Sequence, residues 1–375
     1  MILRRTVSPM SRMTVTYRVR GDAPAIEARA QAIAVEQSVE TPLAAISDEA
    51  VLRDIVGEVE GIRELEPGLF EVRIGLAVQT MGFEAGQLLN MLFGNVSLQE
   101  DVTLHDAEIP DALGVAFGGP NCGIAGLRAK CGVDARALTC SALKPQGLPV
   151  TDLAALAGRL AAGGVDAIKD DHGLADQRFS PFAERVRAVA GAIRRKGSRT
   201  LYVPNISGSL DEAAAQIELA MDEGVVAVMA APMLFGVSNF HRLVRRFPEL
   251  AFFAHPAMAG ASRIAPPLLL AKLFRLFGAD VTIFPNYGGR FSYSPETCSA
   301  IADAAPRPWL GLKPCPPSPA GGMTLERVPE ILDFYGPDTM LLIGGSLLSA
   351  KDRLTETTAA FVERAAHHFE DKTDG

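Results

Sequence analysis

From about residue 137 the chain settles into a rhythm. Short apolar runs end in glycine or a polar residue, and each is followed by a stretch whose apolar positions recur every three or four residues. The runs are ALTCSAL, VDAIKD, TLYVPN, VVAVMAA, AFFAH, DVTIFP, PWLGLK and MLLIGG. Between them, LAALAGRLAAGG and SPFAERVRAVAGAIRR carry helical spacing and close on glycine or basic residues, as crossover helices do. Eight such strands joined by crossovers predict a parallel (β/α)8 barrel, a TIM barrel, rather than an open sheet. The chain before this region reads differently. TVTYRV and LFEVRIGLA alternate as strands, a helix is predicted from Ala23 to Gln37, and another from Phe83 to Leu92. That order predicts a small α+β domain of ferredoxin-like kind. The Gly/Pro-rich passage AFGGPNCGIAGL then links it to the barrel. The expected division is 1–115 for the α+β domain and 116–375 for the barrel with a C-terminal helix.

Composition narrows the class. With 375 residues, 48% of them hydrophobic, and a mean hydropathy of +0.17, the chain can bury one large core and a smaller one. The net charge of −8 is spread along the sequence with no basic stripe, so nucleic acid is not an expected partner. No membrane span is expected either, because the longest apolar stretch, Ala265 to Phe277, is interrupted by Lys272 and Arg275. The first residues, MILRRTVSPM, lack the apolar core of an export signal. Five cysteines without CxxC pairing fit reduced thiols, and the expected location is the cytoplasm.

A barrel concentrates chemistry at the carboxyl ends of its strands. In chain order those ends bring Lys144, then Lys169, Asp170, Asp171 and His172, then Asn205, then His255. Within GGVDAIKDDHG, strand alternation sends Lys169 and Asp171 to one side and Asp170 to the other. A lysine beside a carboxylate is on its own most simply an ion pair.

GGVDAIKDDHG resembles the second-strand motif of the RuBisCO large-chain superfamily, which supplies a CO2-carbamylated lysine, an aspartate and a glutamate to a magnesium ion. The resemblance implies Lys169 as carbamate and Asp171 as second metal ligand. His172 stands where the family has glutamate. Since hard Mg²⁺ prefers oxygen, an imidazole there implies a softer ion such as Mn²⁺ or a ligand set back behind water. Further segments are similar in the same order. AVEQSVET nominates Glu36 and Thr41, and MLFGNVS nominates Asn95 as a metal-facing asparagine. ALKPQGL gives Lys144 as the active-site lysine, with Gln146 replacing the motif's second lysine. AHPAMAG places His255 at the family's histidine and Pro256 where a phosphate-binding arginine is expected. AGGMT and LLIGGS resemble two turns that grip one phosphate through backbone N–H groups, which implicates Gly321, Gly322, Gly344 and Gly345.

The loop after strand six, PNYGGRFSYS, has no lysine and offers only Arg290 as a cation. Carboxylases of the family carry a lysine on that loop, so together with Pro256 the resemblance implies that ribulose bisphosphate is not carboxylated and that the substrate has a single phosphate. The chain is therefore similar to the non-carboxylating RuBisCO-like proteins, whose reactions share a metal-stabilised enediolate. The expected substrate is a phosphorylated sugar or sugar acid. Decarboxylation of 3-oxo-isoapionate 4-phosphate needs no base, only a metal, a proton donor such as Lys144, and Arg290 on the carboxylate, and it is the favoured reading. Isomerisation of 5-methylthioribulose 1-phosphate is the alternative and needs a competent base, for which Lys144 or the Lys169 carbamate could serve. The methionine-salvage enolase is disfavoured because its lysine base falls at Asn95. A catalytically silent binding homologue is a third class. The resemblance also implies a homodimer in which Glu36, Thr41 and Asn95 of one chain complete the barrel site of the other.

Overall fold

The computed structural model describes residues 11–369 and divides into two compact units. The expectation about an export signal rests on residues 1–10 and lies outside the described residues. One unit holds the chain through Gly118 with segments 258–269 and 309–312. The other holds 119–257, 270–308 and the chain from Lys313 on.

In the first unit, β1 (Arg12–Arg20), β2 (Glu58–Glu66), β3 (Leu69–Ala77) and β4 (Val102–Glu108) form one sheet in the order β2-β3-β1-β4. Every neighbouring pair is antiparallel. The helices Ile26–Glu36 and Ala85–Phe93 follow β1 and β3, giving two interlocked β-α-β units, which is the ferredoxin-like arrangement. The alternation of β1 is the cause of its placement at the centre: Met13, Val15, Tyr17 and Val19 are fully buried, while Arg18 and Arg20 face out. β2 is the opposite case. Its sequence EVEGIRELE exposes most of its side chains and occupies a sheet edge, where charge blocks further pairing.

The second unit is a barrel of eight parallel strands: β5 (Leu138–Leu143), β6 (Ala167–Asp170), β7 (Leu201–Val203), β8 (Ala227–Ala230), β9 (Ala251–Ala254), β10 (Val281–Pro285), β11 (Pro317–Ala320) and β12 (Met340–Leu342). Neighbouring strands pair from β8 through β12 and on through β5, β6 and β7. Between β7 and β8 the ring is drawn together by a single bridge. Met229 N–H donates to the Pro204 carbonyl and Ile206 N–H to the Met229 carbonyl, both at 2.9 Å. Alternate side chains fill the interior, among them Leu138 and Cys140, Ala167, Leu201 and Val203, Met229, Phe253, Ile283 and Leu342. Crossover helices follow the strands, including Val150–Ala162, Phe182–Arg194 and Leu210–Asp222, the last opened by a reciprocal Ser209–Glu212 capping box.

The expected seventh strand, PWLGLK, is a correction. Leu310 and Gly311 take left-handed backbone (φ 52° and 66°), which ends any extended run there. The seventh strand is the following PSPA, Pro317–Ala320. Two of its residues are prolines and lack a ladder donor, so β11 meets β12 through one residue pair, Ala320 with Leu342. Among the described residues, no helix is long and apolar enough to cross a membrane, and all five cysteines are free thiols.

Candidate active site

The alternation that packs the barrel interior also decides which polar groups reach its mouth. Continuing Leu138, Cys140 and Ala142 along β5 brings Lys144 to the inner side just past the strand end. Ala167 leads in the same way to Lys169 and Asp171, Val203 to Asn205, and Phe253 to His255. Asp170 has the opposite parity and points outward, where it is fully buried against the helix Phe182–Arg194. Its carboxylate accepts from Arg185 Nε (3.1 Å), the Tyr202 hydroxyl (2.9 Å) and the Asn205 N–H (3.1 Å). Arg185 is itself wholly buried and donates further to the carbonyls of Ser180 and Ala175. The loop that follows Asp171 is thereby fastened from behind.

At the mouth, Asp171 is the hub. Lys144 Nζ lies 2.8 Å from Asp171 Oδ2, and His172 Nδ1 lies 2.9 Å from Oδ1, which the Gly173 N–H also approaches at 3.2 Å. Burial opposes ionisation of Asp171, but the hydrogen bonds from His172, Lys144 and Gly173 outweigh it and hold the carboxyl well below its ordinary range. The ion pair expected of adjacent lysine and carboxylate is thus made by Lys144. Lys169 Nζ donates to the Asp170 carbonyl at 2.9 Å. Burial, reinforced by the charge of Lys144, pushes its pKa down and favours the neutral amine. The His255 ring stacks on His172 with centroids 4.3 Å apart, and its Nδ1 accepts the Ala257 N–H at 3.2 Å. Burial, followed by the nearby Lys169 and His172, lowers its pKa to about 2, so this imidazole is neutral. The Asn205 amide donates to the carbonyls of His172 and Leu174, fixing the turn that carries His172.

The donor chemistry of this cluster sets the terms for a divalent ion. As amino acids alone, Asp171 and His172 are two ligands beside a cationic lysine, and among the described residues no group of three His, Cys, Asp or Glu side chains is arranged to hold a metal. A carbamate on Lys169 would change that sum, because it adds two oxygens sharing one negative charge on the same inner face as Asp171. Burial shifts Lys169 toward the neutral amine, the form that attacks CO2 and then loses a proton to give the carbamate. In that form Lys169, Asp171 and His172 would offer oxygen and nitrogen donors suited to a divalent cation.

Gly321 and Gly322 follow β11, and Gly344 and Gly345 follow β12. Both residues of the first pair are left-handed (φ 85° and 66°), and a Cβ on Gly322 would stand 2.5 Å from Gly289 Cα. The strand-six loop therefore packs backbone to backbone on this turn. Arg290, the next residue, is exposed and lies over the Phe291 ring at 5.0 Å. Among the described residues the N–H groups of Gly321 and Gly322 meet no protein acceptor.

The three residues nominated in the α+β unit lie together at one side of it. Asn95 Nδ2 donates to Glu36 Oε1 at 2.9 Å. Gln37 joins the two segments, accepting from the Val96 N–H and donating to the Met91 carbonyl. Glu36 and Thr41 line a shallow cavity of about 400 Å³ with Glu40 and Leu43.

Sequence reading missed the outward brace of Arg185 and Tyr202, since an arginine within an amphipathic helix reads as surface. It also missed why Gln146 is tolerated. The Gln146 side chain lies over Gly173, in the space a Cβ there would need.

Residues 123–360 match the family described as ribulose bisphosphate carboxylase large chain, catalytic domain, and the chain belongs to that family. Within it, the chain stands with the RuBisCO-like proteins, not with the carboxylases. It is 59% identical over 360 residues to a protein of Rhodospirillum rubrum named 5-methylthioribulose-1-phosphate isomerase, covering 95% of this chain and 96% of that one. It is 34% identical to a 2,3-diketo-5-methylthiopentyl-1-phosphate enolase of Geobacillus thermodenitrificans, over 90% of this chain and 88% of that one. The crystal structure of a Rubisco-like protein from Rhodopseudomonas palustris superimposes with a TM-score of 0.89 at 56% identity, covering 95% of this chain and 98% of that one.

Proposed function

We propose that this chain isomerises 5-methylthioribulose 1-phosphate through an enediolate. The observation that carries the reading is the 59% identity, over nearly the whole of both chains, with a protein named for that activity. The barrel mouth supplies groups suited to it. An isomerase must take a proton from carbon beside a carbonyl and return it to the neighbouring carbon, so it needs a group that can carry a proton both ways. Lys144 is the amine at the mouth, held at the centre of the site by Asp171. A divalent ion held by Asp171, His172 and carbamylated Lys169 would polarise the substrate carbonyl and stabilise the negative charge that develops on it. With Nδ1 accepting the Ala257 N–H, neutral His255 carries its proton on Nε2 and can donate one hydrogen bond to a substrate hydroxyl without adding charge. The Gly321–Gly322 and Gly344–Gly345 turns would take the single phosphate.

This reading displaces the decarboxylase that the sequence alone favours. That preference rested on decarboxylation needing no base; the near-full-length relative named for isomerisation supports the base-dependent reaction instead, with Lys144 as its proton carrier. The enolase, disfavoured on sequence, moves up to second, supported by the Geobacillus relative, with Asn95 in place of a lysine base counting against it. We also propose that the chain works as a homodimer, with Glu36, Thr41 and Asn95 of each copy closing the barrel mouth of the other and excluding water.

The test is to incubate the protein with Mg²⁺, bicarbonate and either 5-methylthioribulose 1-phosphate or 3-oxo-isoapionate 4-phosphate, following products by NMR. Conversion of the thio-sugar to an isomer of unchanged mass supports the proposal. Release of CO2 from the second compound with the first left intact overturns it.

A further inference from the structure

Two consecutive glycines make a poor anchor for a ligand unless something fixes them, because glycine has the widest backbone freedom and loses the most entropy on being ordered. At Gly321–Gly322 that freedom is removed from two sides. Gly289 of the strand-six loop packs on Gly322 so closely that no Cβ would fit. From the other side, Arg327 Nη1 donates to the Gly322 carbonyl at 3.0 Å, which fixes the orientation of the peptide that ends the turn. The rest of the Arg327 guanidinium is already committed. Nε and Nη2 bind the Glu330 carboxylate at 3.1 and 2.8 Å, and its face lies 5.5 Å from the centre of the Tyr287 ring. Tyr287, at the base of the strand-six loop, donates in turn to Glu330 at 2.9 Å. Arg327 thus has its charge balanced by Glu330 and three of its five N–H groups engaged, and it reaches the turn through a backbone carbonyl.

We infer that Arg327 is a positioning residue for substrate phosphate. It latches the Gly321–Gly322 turn to the strand-six loop through Glu330 and Tyr287, so the turn's N–H groups are arranged before the ligand arrives. The inference rests on the reading that this turn grips the phosphate of the substrate. Its effect belongs to binding and leaves the proton-transfer step alone.

Inorganic phosphate binding by titration calorimetry is the first readout, and steady-state kinetics with 5-methylthioribulose 1-phosphate is the second. In Arg327→Ala we expect phosphate affinity to fall about tenfold and KM to rise in parallel, the loss of roughly one charge-assisted hydrogen bond, with kcat changed less than about twofold. Arg327→Lys, which can still reach the Gly322 carbonyl with one donor, should recover part of the affinity, and it replaces the alanine variant should that fail to fold. Phosphate affinity equal to wild type in both variants, or a fall in kcat at constant KM, overturns the inference, as does a wild-type protein that binds no phosphate. If wild type binds phosphate in an Arg327-dependent way but leaves the thio-sugar untouched, the proposed reaction fails and the positioning role stands.

Discussion

Lys144 and Asp171 form a 2.8 Å ion pair that joins the ends of the first and second barrel strands. It places the proposed proton carrier against a carboxylate of the proposed cation site, so the two functions are coupled at one oxygen. An ion held by Asp171 would compete with Lys144 for that oxygen and leave the amine available to substrate.

Replacing Lys144 should therefore abolish chemistry while leaving binding in place. For Lys144→Met we expect kcat to fall about 10²- to 10⁴-fold, the usual weight of a general acid–base group, with phosphate affinity unchanged. Single-turnover kinetics beside phosphate calorimetry checks it, and equal losses in both would place Lys144 in binding.

Asp170 and Arg185 form a fully buried pair, so breaking it should be costly and sparing it cheap. Arg185→Ala leaves a buried carboxylate short of its cation and should cost about 3–5 kcal/mol in denaturant unfolding. Tyr202→Phe removes one hydrogen bond to the same carboxylate and should cost about 1 kcal/mol, with kcat near wild type. A larger loss in the tyrosine variant than in the arginine variant would refute the ranking.

Gly322 and Gly173 should respond differently to alanine. At Gly322 the new Cβ meets the backbone of Gly289 on a residue with φ of 66°, and neither chain can give way. At Gly173 it meets the end of the Gln146 side chain, which can swing aside. We expect Gly322→Ala to cost about 1–3 kcal/mol. Gly173→Ala should cost less than about 1 kcal/mol. Thermal melts compare the two.

In the α+β unit, Arg29 holds Asp101 through two hydrogen bonds of 2.8 Å, and the first effect of that contact is to lower the carboxyl pKa, against an opposing desolvation. A depressed folded-state pKa stabilises above the unfolded value, near 4, and the gain is lost as pH falls through the folded value. Both groups are about a third exposed, so the pair is worth no more than about 1 kcal/mol. Arg29→Ala should lower stability by up to that amount at pH 7, and by less as pH falls below about 4 and the carboxyl is protonated.

The barrel and most of its mouth are legible in the sequence because strand alternation is enforced by the packed interior. Once Leu138, Ala167, Val203 and Phe253 face inward, Lys144, Lys169, Asn205 and His255 have no other direction to take. What the pattern hides has physical reasons too. Pro317 and Pro319 disguise a strand because they remove half of its N–H donors, while PWLGLK imitates one until Leu310 and Gly311 turn left-handed. β2 is hidden by the charges that protect its edge. Arg185 and Arg327 act through contacts far apart in sequence, with Asp170 and Gly322, and no local spacing announces them.

Cooperation between Lys169 and Asp171 in holding a divalent ion is read most directly by calorimetric titration of Mg²⁺ or Mn²⁺ into the protein, with and without bicarbonate, in wild type and in Lys169→Ala. Binding that strengthens with bicarbonate in wild type and disappears in the variant is the predicted result. Equal metal affinity in the two proteins, indifferent to bicarbonate, would contradict it.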